Sequence, residues 1–136
     1  MDSLKSKHVL ILDDESDVVR ILRLMLMAWN YRISTALRVP EALEMILNGM
    51  NTADPVDIIL ADIQIPGQNG FDLMDELAAR NVSVPTIFMT GLKDQDTQVE
   101  LNRRGVCACL EKPVSFQVLL DQVRNIPSVC FSECAS

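Results

Sequence analysis

The chain has 136 residues, of which 19 are Asp or Glu and 12 are Lys or Arg, so its formal net charge is −7. That length suits a single domain, since domains usually contain roughly 100–200 residues. An apolar fraction of 49% and a charged fraction of 23% are typical of a globular domain with a hydrophobic core. The acidic excess argues against general binding to nucleic acid or to an anionic membrane, because both need a basic surface.

Neither a membrane span nor a disulfide framework is expected. The longest uninterrupted apolar run covers residues 24–29, far fewer than the ~20 residues of a spanning helix. The start of the chain, MDSLKSK, leads into only a short apolar run, which disfavours a secretory signal peptide. The cysteines lack CxxC spacing, so reduced thiols in a cytoplasm are favoured over disulfides, with a zinc site as the less favoured alternative. They are Cys107, Cys109, Cys130 and Cys134.

Short apolar segments alternate with amphipathic segments along the chain. This alternation predicts five βα units that form a parallel sheet within an α/β domain. Strands are expected at residues 8–12, 31–36, 56–61, 84–89 and 106–110. Helices are expected at residues 17–29, 40–49, 71–80, 94–104 and 115–125, with Ser16 as the N-cap of the first. The sequence IPGQNG after the third strand predicts a turn.

Five polar residues that can carry chemistry lie at the ends of predicted strands. They are Asp13 and Asp14 after the first strand, Asp62 after the third, Thr90 after the fourth and Lys112 after the fifth. In an open parallel sheet these ends share one edge, where ligands bind. Carboxylates that close repel one another unless a cation lies among them. Because oxygen ligands suit Mg²⁺, the pattern predicts a magnesium site beside a carboxylate that is a nucleophile or carries a phosphate.

Four sequence blocks occur in order at these strand ends: VLILDDE, DIQIPGQNGFDL, MTG and LEKP. Each block alone is weakly specific, but together they resemble the receiver domain of a two-component response regulator. The resemblance implies a flavodoxin-like, three-layer sandwich around a five-stranded parallel sheet of order 2-1-3-4-5. It divides the chain into an N-terminal extension at residues 1–6, a receiver at 7–125 and a C-terminal tail at 126–136.

The resemblance also implies a role for each site residue. Asp62 matches the aspartate that accepts a phosphoryl group, and Lys112 and Thr90 match the residues that contact that group. Mg²⁺ is expected on four residues: Asp13, Asp14, Asp62 and Gln64, the last through its backbone carbonyl. The peptide bond between Lys112 and Pro113 is expected to be cis.

The expected partners follow from the same resemblance. A histidine kinase or a histidine phosphotransfer protein would supply the phosphoryl group. The surface of the fourth helix, fifth strand and fifth helix would signal to an effector protein or to an output domain missing from this chain. Such a domain is a cytoplasmic phospho-acceptor rather than an enzyme, and a homodimer on phosphorylation is a further option. Residues 126–136 are too few for an output domain, so a stand-alone regulator and a fragment of a longer protein both remain open.

One position departs from the family pattern. Cys109 stands where the family usually has Tyr or Phe, three residues before the lysine. That ring normally couples the hydroxyl residue, here Thr90, to the output surface. We therefore expect the phosphorylation chemistry to be retained and the usual coupling to be altered.

Three alternative functions are compatible with parts of the sequence. A phosphorylation-independent, receiver-like scaffold is favoured by Cys109 but disfavoured by the complete set of site residues. A flavodoxin-like module for a nucleotide or FMN needs a loop of N–H donors after the first strand, where this chain has Asp-Asp-Glu. An aspartyl-phosphate phosphatase usually has a DxDx[TV] motif there, and this sequence lacks it.

Overall fold

The computed structural model describes residues 6–65, 67–91, 94–106 and 108–126. The main sheet has five parallel strands: β1 His8–Leu12, β2 Arg32–Ala36, β3 Ile58–Asp62, β4 Thr86–Thr90 and β5 Ala108–Glu111. Their order is β2-β1-β3-β4-β5, which confirms the predicted flavodoxin-like order. The helices are α1 Ser16–Met27, α2 Val39–Gly49, α3 Gly70–Ala78, α4 Gln95–Arg104 and α5 Phe116–Asn125. Within the described ranges, no helix has the length and apolar character required to cross a membrane.

Two hydrophobic cores cover the two faces of the sheet. Alternate residues of a strand point to opposite faces, so Val9 and Ile11 of β1 join the core formed with α1 and α5. Leu10 and Leu12 join the other core, which α2, α3 and α4 complete. All five residues of β1 are buried because helices cover both faces of a parallel sheet. This arrangement is the predicted three-layer sandwich.

Strand boundaries differ from the prediction by one or two residues. β4 begins at Thr86 instead of residue 84, since Pro85 has no N–H to donate to a strand ladder. Asp62 is the last residue of β3 and pairs with Met89, and Thr90 is the last residue of β4 and pairs with Glu111, so both site residues belong to the sheet itself. β5 starts at Ala108, two residues later than expected.

Local structure around α1 and α3 also departs from the prediction. Glu15 rather than Ser16 occupies the N-cap of α1, and no side chain caps that end. The helix stops at Met27 instead of residue 29. The predicted turn between β3 and α3 contains a short antiparallel hairpin, in which residues 64–65 pair with residues 68–69 and Gly67 adopts a φ of 83°. Pro66 of that turn lies outside the described residues.

Helix α4 follows the signals that the sequence carries at its ends. The Asp94 carboxylate accepts a hydrogen bond from the Thr97 N–H at 2.8 Å, and Gly105 caps the last turn with a φ of 64°. Acidic residues at the first turn and basic residues at the last turn complement the helix dipole.

Apolar and ionic contacts both attach α4 to the rest of the domain. The one buried residue of the helix is Leu101. Arg104 at its last turn forms a bidentate pair with Asp75 of α3, with N–O distances of 2.7 and 3.2 Å, and lies 4.8 Å from the centre of the Phe71 ring. It also donates to Glu100 on its own helix. Hydrogen bonding to Arg104 lowers the pKa of the Asp75 carboxyl. Arg104 therefore joins α4 to α3.

Gly70 begins α3 at the point where this helix approaches the end of β3. A Cβ at this position would lie 2.6 Å from the backbone oxygen of Asp62 and 2.9 Å from the ring of Phe88. The backbone oxygen cannot rotate away as a flexible side chain would, so only glycine allows this approach.

We expect Gly70→Ala to lower the free energy of unfolding by about 2–3 kcal/mol, because the added methyl group must displace the end of β3 or the Phe88 ring. Urea denaturation measures this change. Gly91→Ala is the matched control, since a Cβ there meets nothing within 4 Å and should change stability by less than about 0.5 kcal/mol. Equal effects of the two substitutions would contradict the close approach at Gly70.

Candidate functional site

The carboxyl ends of the neighbouring strands β1 and β3 bring three aspartates together. Asp13 follows β1 and Asp62 ends β3, and both side chains are buried, while Asp14 is exposed. One carboxylate oxygen from each aspartate lies within 4.8 Å of those of the other two. The strand ends therefore bring together the three carboxylates that the sequence singled out.

Lys112 reaches this cluster from the end of β5. Its Nζ donates to Oδ2 of Asp13 at 2.7 Å and to Oδ2 of Asp62 at 2.9 Å. Its backbone N–H donates to the carbonyl oxygen of Thr90 at 2.8 Å. The bond from Lys112 to Pro113 is cis, as expected from the resemblance. One side chain thus links the ends of β1, β3 and β5.

Burial and hydrogen bonding set the protonation of the cluster. Desolvation raises the pKa of the Asp62 carboxyl, although hydrogen bonds from Lys112 and the Gln64 N–H act in the opposite direction. Burial alone would lower the pKa of Lys112, but its bonds to Asp13 and Asp62 outweigh burial and raise it. Lys112 is therefore a cation at neutral pH. By formal charge, the three aspartates contribute −3 and this single ammonium group contributes +1, which leaves −2.

The other predicted site residues border Asp62. The N–H of Gln64 donates to Asp62 Oδ1 at 3.0 Å, so the two carboxylate oxygens are held by different partners, Gln64 and Lys112. Thr90 is fully buried at the end of β4, next to β3 in the sheet.

Cys109 pairs with Phe88 across β4 and β5 and packs against the core on that face. The other three cysteines, Cys107, Cys130 and Cys134, lie outside the described residues.

Glu15 contacts Lys112 and Asp13, although the sequence did not predict it as a site residue. Its Oε1 lies 3.3 Å from Nζ of Lys112, and its N–H donates to Oδ1 of Asp13 at 2.9 Å. The only signal in the sequence is its position directly after Asp14 in the loop that follows β1.

The donor set fits a hard divalent cation. Mg²⁺ prefers oxygen ligands, retains several of its waters and is usually completed by a phosphate. The three carboxylates supply such oxygens and an excess of negative charge. Because Asp14 is exposed while Asp13 is buried, the cluster has one side within the protein and one side open to water.

Comparison with known proteins finds response regulators by family model, by sequence and by structure. Residues 9–124 match the response regulator receiver domain family. The transcriptional regulatory protein ZraR of Klebsiella oxytoca is 31% identical over 111 residues, which cover 82% of this chain and 24% of ZraR. Response regulator SaeR of Staphylococcus aureus is 27% identical over 119 residues, which cover 88% of this chain and 50% of SaeR. The crystal structure of a putative response regulator from Chloroflexus aurantiacus is 26% identical with a TM-score of 0.76, covering 89% of this chain and 97% of that one.

The chain therefore belongs to the response regulator receiver domain family and is a receiver domain of two-component signalling. Domains of this family are signalling modules that bind Mg²⁺ at an acidic pocket, and their homologues work with histidine kinases and output domains. The chain spans about a quarter of ZraR and half of SaeR.

We expect Lys112→Met to lower the free energy of unfolding at neutral pH by about 3 kcal/mol, because it leaves two buried carboxylates without their cation. Loss of the cation raises the pKa of the Asp62 carboxyl further, because the hydrogen bond from Lys112 that opposes desolvation is gone. The difference from the native protein should therefore shrink as the pH falls toward about 4 and the carboxyls take up protons. Denaturation at several pH values measures this trend. Lys7→Met, at an exposed lysine, is the control, and a loss of stability that is independent of pH would contradict the prediction.

Proposed function

We propose that this receiver accepts a phosphoryl group on Asp62 in a Mg²⁺-dependent reaction and then changes the surface formed by α4, β5 and α5. The observation that carries the proposal is the setting of the Asp62 carboxylate. It lies at the end of β3, bonded to Lys112 and within 4.8 Å of the carboxylates of Asp13 and Asp14. Membership of the receiver family supports the same assignment.

Asp62 is the nucleophile of the proposed reaction. A carboxylate oxygen attacks phosphorus of a phosphohistidine, the P–N bond breaks, and the histidine nitrogen leaves with the electron pair. The product on Asp62 is an acyl phosphate. Gln64 and Lys112 hold the carboxylate in position before the attack, which matters because phosphoryl transfer depends mainly on positioning and charge stabilisation.

The remaining site residues act on the transferred group. Lys112 supplies a positive charge to the phosphoryl oxygens, and the hydroxyl of Thr90 donates a hydrogen bond to one of them. When bound, Mg²⁺ neutralises further charge on these oxygens. The residues that would hold it are Asp13, Asp14, Asp62 and Gln64, the last through its backbone carbonyl.

Phosphorylation replaces one carboxylate with a group of about −2 charge and three acceptor oxygens. Lys112 would bind the new oxygens, and its backbone is already tied to Thr90. Helix α4 lies on the face that would respond, and one buried leucine and the Arg104 contacts attach it to the domain. A histidine kinase or histidine phosphotransfer protein is the proposed donor, and an effector protein or an output domain the proposed receiver of the signal. We also propose that the receiver spans residues 7–125, acts in the cytoplasm and forms a homodimer on phosphorylation.

Incubation with acetyl phosphate and Mg²⁺ should add one phosphoryl group to the native protein, as measured by intact mass. Chelation of Mg²⁺ should abolish the change. Asp62→Asn should also abolish it, because the amide is not a nucleophile, whereas Asp121→Asn, at an exposed aspartate of α5, should react like the native protein. An unmodified native protein would instead favour the phosphorylation-independent scaffold.

Cys109→Tyr should leave the rate of this modification within about twofold of the native value, since general transfer chemistry depends on positioned charges and not on that ring. Cys109 lies on β5, where it pairs with Phe88 of β4, and it is not part of the carboxylate cluster. Time courses of intact mass measure the rate. A tenfold or greater loss of phosphorylation in a folded variant would contradict this expectation.

A further inference from the structure

Glu15 is the third carboxylate in contact with Lys112. The ammonium group has three N–H donors, and three carboxylates lie around it: Asp13 at 2.7 Å, Asp62 at 2.9 Å and Glu15 at 3.3 Å. The Glu15 contact is the longest of the three. A phosphoryl oxygen that binds Lys112 would therefore compete most directly with Glu15.

Glu15 stands at the mouth of the site. Its side chain is 61% exposed, while those of Asp13 and Asp62 are 0% and 6% exposed. Its backbone is fixed, because the N–H donates to Asp13 and the carbonyl accepts from Val19 in the first turn of α1. The carboxylate is therefore held near the entrance by the same loop that positions Asp13.

We propose that Glu15 is a specificity-determining residue that lowers the reactivity of Asp62 toward small anionic phosphodonors. The proposal rests on the function assigned above. A free donor must bring a negatively charged phosphoryl group past the Glu15 carboxylate and then displace it from Lys112. A partner protein can offset this repulsion through contacts elsewhere on its surface, whereas a small donor cannot.

The test reaction is phosphorylation by acetyl phosphate. A carboxylate oxygen of Asp62 forms a bond to phosphorus, the P–O bond to the acetyl group breaks, and acetate leaves with the electron pair. No proton transfer is required. Phosphoramidate transfers the same phosphoryl group with nitrogen as the leaving atom, and at neutral pH it carries one negative charge fewer than acetyl phosphate. The two donors therefore separate charge repulsion from the chemistry of transfer.

The variant is Glu15→Gln, which preserves the size and backbone of the residue and removes its charge. Glu44→Gln, at an exposed position of α2, removes the same charge away from the site and is the matched control. Initial rates are measured by intact mass at several donor concentrations, with Mg²⁺ saturating for each protein.

Glu15→Gln should lower the half-saturating concentration of acetyl phosphate by about three- to tenfold, an effect expected from removing one nearby charge. The maximal rate should stay within about twofold, because the groups that contact the transferred phosphoryl remain. The gain with phosphoramidate should be smaller, and both gains should shrink in about 0.5 M salt, where charges are screened over a few ångströms. Glu44→Gln should match the native protein.

Two results would overturn the proposal. One is equal kinetics for Glu15→Gln, Glu44→Gln and the native protein. The other is an equal gain with both donors that salt does not reduce, since charge repulsion cannot produce it. In both cases the native protein is phosphorylated on Asp62, so the proposed function stands. If the native protein is not phosphorylated by either donor, the proposed function itself fails.

Discussion

The bond between the Lys112 ammonium and the carboxylates of Asp13 and Asp62 is the interaction on which the site depends. Two buried carboxylates on adjacent strands would repel each other in a medium of low polarity. The Lys112 ammonium balances part of that charge. Lys112 follows β5, which lies two positions from β3 in the sheet. The ion pairs of Lys112 therefore connect the carboxyl ends of the strands from β1 to β5, while the two hydrophobic cores cover the faces of the sheet.

Lys112 balances only part of the negative charge at this edge of the sheet. The negative charge that remains supports the proposed function. The excess negative charge favours a divalent cation, and the raised pKa of Asp62 reflects the work of keeping a charge in a buried place. Membership of the receiver family shows that this edge belongs to a signalling domain. Glu15 is an additional carboxylate beside Lys112 and would shape how a phosphodonor approaches the site.

Hydrophobic periodicity predicted five βα units and a parallel sheet, because it records which face of each element is buried. The order of the strands and the three layers followed from the resemblance to the receiver family. The sequence also placed the main polar residues correctly at the strand ends, since parallel strands share one edge. Finer features depend on the folded chain. Pairing with the neighbouring strand determines that β3 ends at Asp62, and Pro85 determines that β4 begins at Thr86. The loop conformation around Asp13 determines that Glu15 is the N-cap of α1. The pair between Arg104 and Asp75 joins residues far apart in sequence, and no local pattern predicts it.

The attachment of α4 through Arg104 has a consequence for local stability. Helices held by apolar packing keep their contacts at any salt concentration, but ion pairs at a partly exposed surface weaken as ions screen them. The free energy of opening α4 alone should thus fall with ionic strength, while that of α1, which buries three apolar residues, should not. The surface formed by α4 would then be sensitive to the ionic composition of its surroundings.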